Sequence, residues 1–108
     1  MTMSKYLFEA NYVGEGIKGL MREGGTSRRE ALVAALESVG GSVESFYYAF
    51  GETDVLGILE VPSVSDAAAL SLMVNSTGSV TVRLKPLLSV EDLDDAAKKT
   101  PAYRAPGQ

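Results

Sequence analysis

Residues 42–61 read SVESFYYAFGETDVLGILEV. In the first half, 42–50, Phe46, Tyr48 and Phe50 alternate onto one face with Glu44. Val43, Tyr47 and Ala49 fall on the other with Ser45. Period two with aromatics predicts a strand. The second half, Asp54 to Val61, is almost continuously apolar, which suits a strand covered on both faces. Gly51-Glu52-Thr53 joins the two and Pro62 closes the second. This is a hairpin whose apolar member belongs inside a sheet and whose aromatic member belongs at an edge.

What flanks the hairpin decides the class. Upstream, Leu32, Ala35, Leu36 and Val39 form a helical stripe that ends at Gly40-Gly41. Ser27-Arg28-Arg29-Glu30 fits a capping box at its start. Before it, Ile17, Leu20 and Met21 recur at helical spacing in a short segment that stops at Gly24-Gly25. Residues 4–13, SKYLFEANYV, alternate as a strand, with Tyr6, Phe8, Ala10 and Tyr12 on one face.

Downstream, Ser63 or Ser65 caps a helix with Asp66 in its first turn. Ala67 to Val74 is apolar almost all round, which predicts a deeply packed helix. Residues 79–88, SVTVRLKPLL, alternate with Val80, Val82 and Leu84 inward and Thr81, Arg83 and Lys85 outward. Pro86 removes a ladder donor, so this strand should lie on an edge or end there. Ser89-Val90-Glu91-Asp92 caps a short acidic helix running to near Lys99. The tail 100–108, with two prolines, is expected to be flexible.

The order strand, helix pair, strand, strand, helix, strand, helix is the ferredoxin-like βαββαβ pattern, an α+β class with a split first helix and an extra C-terminal helix. Right-handed crossovers put the first and third strands in the centre. One domain covers residues 1–99. Such a sheet carries helices on one face only, and here the other face is too apolar to stay wet. A second copy is expected to cover it, giving a homodimer or higher homo-oligomer of the dimeric α+β barrel type.

Composition narrows the chemistry. The chain has 108 residues, a formal charge of −4 and a pI near 4.7, which opposes a phosphate-backbone binder. The third strand lacks the basic and aromatic residues an RNA-recognition sheet needs. There is no cysteine and no histidine, so thiolate nucleophiles, Ser-His triads and histidine-ligated zinc are excluded. No calcium-loop spacing occurs, and no cofactor or metal is expected. No apolar run approaches a membrane span and no signal-peptide pattern opens the chain, so the expectation is a soluble cytoplasmic protein without nucleic-acid or membrane partners.

The run Glu44 to Val55, followed by Glu60-Val61-Pro62 and an alanine-rich helix ending at Gly78, resembles the GYD-domain family of small, mostly bacterial proteins. The similarity spans about residues 4–95. Gly51 and Asp54 match the motif's glycine and aspartate, while Thr53 stands where the motif has tyrosine. The resemblance implies a ferredoxin-like, dimeric α+β barrel fold, and it brings no established catalytic residues.

Three candidate sites follow from the residues. Asp54 can stand at a pocket rim with Tyr47 or Tyr48 as a phenolic donor; against this, Gly51 and Asp54 are ordinary turn residues, and that reading is preferred. Glu9, Asn11, Thr81, Arg83 and Lys85 share neighbouring strands. They can hold a small acidic metabolite through a bidentate arginine, although cross-strand ion pairs on an edge are the preferred reading. Glu60, a lone acid near the end of an apolar strand, can serve as a general base, although an acid there more often simply reaches water. Tyr6 and Tyr12 are ring candidates for the same space, against core or interface. The function expected is a homo-oligomeric small-molecule-binding or interaction domain without catalysis. The alternative is a cofactor-free enzyme of the dimeric barrel type, monooxygenase- or isomerase-like, using carboxylate, tyrosine and arginine groups.

Overall fold

A computed structural model gives the fold and describes residues 3–108. The elements are β1 (Ser4–Tyr12), α1 (Glu15–Glu23), α2 (Gly25–Ser38), β2 (Ser42–Tyr48), β3 (Val55–Val61), α3 (Val64–Ser76), β4 (Val80–Pro86) and α4 (Val90–Ala97). The four strands make one antiparallel sheet in the order β2-β3-β1-β4. The hairpin therefore has its apolar strand inside and its aromatic strand at an edge. The proline-ended β4 takes the other edge.

One face of the sheet packs on α2 and α3. Tyr6, Phe8 and Ala10 of β1 meet Val55, Leu59 and Val61 of β3 there, with Leu36 from α2 and Ala67 and Leu70 from α3. Gly57 sits among them because nothing larger fits. A Cβ at this position would lie 2.2 Å from the Ser45 carbonyl oxygen and 2.3 Å from the Phe8 ring. The space it leaves lets Phe8 and Phe46 come together, with ring centroids 5.8 Å apart.

Strand β2 departs from simple alternation. Val43 pairs with Leu59 and Ser45 with Ile58, so Glu44 is an extra residue, a β-bulge. The bulge reverses the phase. Val43 joins Phe46 and Tyr48 on the helix side, while Glu44, Ser45 and Tyr47 belong to the open side. Strict alternation predicts the reverse for Val43 and Glu44. The strand also ends at Tyr48, leaving Phe50 fully exposed in the connection.

Two helix expectations are corrected. Helix α2 starts at Gly25 rather than behind Ser27, and it has no side-chain cap. Gly24, at φ 85°, turns the chain from α1 directly into α2, so Ser27 lies inside the first turn and bonds Glu23 instead. Helix α3 is not deeply packed. Only Ala67 and Leu70 are buried, while Leu72 and Met73 are 73% and 70% exposed, because the sheet covers one side of the helix alone. Its cap is Ser63, whose Oγ accepts from the Asp66 amide.

After β4 the chain leaves the body. Ser89 and Asp92 form a reciprocal capping box on α4, yet no α4 residue is buried and every residue from Lys85 to Gln108 is exposed. The radius of gyration, 16.9 Å, exceeds the roughly 13 Å of a compact chain of this length. No described helix is long and apolar enough to cross a membrane.

Candidate functional site

The β2–β3 connection is fastened to β1 by side chains. Asp54 accepts from the Tyr12 amide through Oδ2 at 3.0 Å, and its own amide donates to the Ala10 carbonyl at 3.0 Å. Asn11 Nδ2 donates to the Glu52 carbonyl at 2.7 Å. Gly51, at φ 119°, supplies the turn. The aspartate thus satisfies a backbone amide where β1 outruns its pairing with β3. The bonded amide is 42 residues away in sequence rather than within the turn, and Asp54 also lines an open pocket with Tyr48, Ile17 and Leu20. Tyr47 and Tyr48 point to opposite faces. The Tyr48 hydroxyl donates to the Gly25 carbonyl at 2.8 Å, and burial, with Tyr12 beside it, raises its pKa.

The open face carries two ion-paired clusters. At one end Lys5 Nζ lies 2.6 Å from Glu44 and 3.6 Å from Glu60, and these carboxylates, the Glu44 bond foremost, raise the lysine pKa. At the other, Glu9 stands opposite Arg83 in register. Its Oε1 is 2.8 Å from Lys85 Nζ and its Oε2 is 3.8 Å from Arg83 Nη2. Thr53 Oγ1 donates to the same Oε2 at 3.2 Å and accepts from Arg83 Nη2 at 3.5 Å. Thr81 pairs with Asn11 in register beside this group. The Lys85 hydrogen bond, helped by its charge, Thr53 and Arg83, overcomes partial burial and lowers the Glu9 pKa. A carboxylate held ionised in this way is a poor base near neutrality. Thr53 has a role here that no tyrosine match suggests: it ties the connection to the Glu9 cluster.

Between the clusters lie half-buried Leu7, Leu56 and Ile58, with Tyr47 standing 69% exposed beside them. The structure brings Glu9, Asn11 and Arg83 together near Thr53. It places Glu60 at the far end and Asp54 in the connection. Among the described residues, no group of three or more acidic side chains is arranged to hold a metal ion.

A second space lies on the helix side. Helices α2 and α3 stand apart over the sheet and leave a cleft of about 230 Å³. Phe8, Ala10, Phe46 and Val55 lie among its floor residues. Ala31, Leu32 and Ala35 line it from α2, and Leu70, Met73 and Val74 from α3. Its polar lining consists of Tyr12, Arg28 and Thr77. Arg28 stands beside the Tyr12 hydroxyl and 3.6 Å from Glu23. Burial works against its charge, but Tyr12 and Glu23 more than offset it, and the pKa rises. Of the ring candidates, Tyr12 lines this cleft and Tyr6 is core. Sequence reasoning missed the cleft because the gap between two helices is set by how each docks on the sheet, which neither helix's own residues record. Only the small Ala31 and Ala35 on the inner side of α2 hint at spare volume.

The family model described as the GYD domain matches residues 6–97 of the chain. No curated protein and no solved structure matches it. The chain belongs to the GYD-domain family.

Proposed function

We propose that this member of the GYD-domain family is a homodimeric binding and interaction domain without catalysis, of the ferredoxin-like, dimeric α+β barrel type. In this reading a second copy covers the open face of its sheet. The observation that carries it is the composition of that face. An apolar band of Leu7, Leu56, Ile58 and Tyr47 is bounded by charged clusters, which is the anatomy of an interface core and its rim. The strand order β2-β3-β1-β4 and the one-sided placement of α2 and α3 support the ferredoxin-like assignment.

The charges favour self-association. Lys5 with Glu44 and Glu60 sums to −1, and Glu9 with Arg83 and Lys85 sums to +1. One surface therefore carries both signs, and a two-fold partner can bring opposite clusters near each other. The C-terminal arm fits the same picture. Val90, Leu93 and Ala97 share one side of α4, with Val90 and Leu93 exposed at 74% and 60%, and the arm reaches away from its own body. Over a second chain, that side finds the cover its own chain does not give.

The absence of catalysis in this reading rests on how the acids are used. Glu9 and Glu60 are ion-paired and Asp54 holds a backbone amide. The cofactor-free enzyme alternative needs a free acid or base facing an enclosed space, and these three groups do not supply one.

Light scattering tests the dimer. The chain is 11.4 kDa, so the expected mass at tens of micromolar is about 2 × 11.4 = 22.8 kDa. Ile58→Lys, in the middle of the band, should give the single-chain mass with an unchanged far-UV spectrum. A wild-type mass of one chain overturns the proposal.

A further inference from the structure

We propose that the cleft between α2 and α3 binds a small apolar monocarboxylate, its body on the Phe46–Val55 floor and its carboxylate on Arg28 and the Tyr12 hydroxyl. This rests on the reading of the chain as a binding domain, but not on its dimerisation. The lining is apolar except for Tyr12, Arg28 and Thr77, so a polar solute such as a sugar would leave its hydroxyls unmatched. The volume of about 230 Å³ equals about eight water volumes, which suits a molecule of about nine or ten heavy atoms. Ala31 and Ala35 keep that volume open. Met73, 70% exposed at the lip, is an adaptable cover for one ring or a short chain.

The sign of the head group follows from the mouth. Arg28 presents a planar fork of donors, and Tyr12 adds a hydroxyl beside it. The chain as a whole is acidic, at −4, yet the mouth presents Arg28, with Glu23 as the acid paired to it. That contact is long, 3.6 Å, with Glu23 47% exposed, so an incoming carboxylate can replace it at little cost. Arg83 on the open face is less suited to a carboxylate ligand, because Glu9 and Thr53 already occupy it.

The test uses benzoate and its neutral isostere benzamide as probes, read by amide chemical shifts of the full chain. Saturable benzoate shifts are expected at Ala35, Val74 and Val82, with benzamide about tenfold weaker. Arg28→Gln should weaken benzoate about tenfold and leave benzamide unchanged, whereas Arg28→Lys should recover part of the loss. Ala35→Phe should abolish both while spectral dispersion is retained. No saturable shift up to about 10 mM overturns the proposal, since a probe of this size should bind by then. Equal affinity for the two probes overturns it, as do shifts centred on Arg83 and Lys85. The mass of the same samples separates the two readings: benzoate binding by a single-chain species rejects the dimer alone.

Discussion

Asp54 fastens the β2–β3 connection to β1, and replacing it with alanine tests whether that contact holds the fold together. The side chain accepts one hydrogen bond, from the Tyr12 amide at 3.0 Å, in a half-buried setting. A hydrogen bond to a charged group is worth about 1.5–3 kcal/mol, and partial access of water to the abandoned amide favours the lower end. Asp54→Ala should therefore cost about 1.5–2 kcal/mol. For a domain of this size each kcal/mol moves the melting point by about 4–8 °C, so the expected drop is roughly 6–16 °C. Asp54→Asn keeps an acceptor oxygen and loses the charge. A neutral bond has about half the strength of a charged one, so asparagine should recover roughly half of the loss. Melts followed by circular dichroism at one fixed chain concentration measure both, since any self-association makes the melting point depend on concentration. An Asp54→Ala melt within about 2 °C of wild type would refute the reasoning. So would an asparagine variant no better than alanine, because the lost acceptor would then not be the cause.

Two further outcomes follow from the same sheet. Gly57→Ala forces a Cβ against the Ser45 carbonyl and the Phe8 ring, at 2.2 and 2.3 Å. It should lower stability by about 2–3 kcal/mol, read as a lower urea midpoint at unchanged slope; an unchanged midpoint contradicts the tight fit. Glu9, with its pKa lowered by Lys85 first, contributes stability above its unfolded value near 4.5, and that contribution is lost as pH falls through the lower folded value. Stability of Glu9→Gln should therefore fall less steeply than wild type below about pH 5, and parallel curves would show that the Lys85 bond contributes nothing.

Much of the fold was legible because its signals are local. Alternation in residues 4–13 and 79–88 marks strands, and the apolar run after Asp54 marks a strand inside the sheet, although only its helix side is covered and Leu56 and Ile58 stay half-buried on the open side. Gly40, at φ 78°, ends α2 where a left-handed residue is required, with the Gly41 amide bonded back to the Leu36 carbonyl at 2.8 Å. The Ser89–Asp92 box begins α4 through bonds three residues apart. Each of these depends on neighbours within one turn or one strand, so the chain carries the information in order.

The functional surfaces depend on neighbours far along the chain. The bulge at Glu44 arises from pairing with Leu59 and Ile58, and it changes which face Val43 and Glu44 occupy. Glu9 gains its partners only because β4 docks on β1 and the connection at Thr53 folds over both. The cleft exists because the sheet holds α2 and α3 apart, a distance that neither helix encodes in its own pattern. By itself the sequence determined the elements, their order and the absence of thiol and imidazole chemistry. Tertiary structure alone decided which charges pair, which apolar sides stay uncovered and where a cleft opens between the helices, because those depend on register and separation between elements distant in sequence.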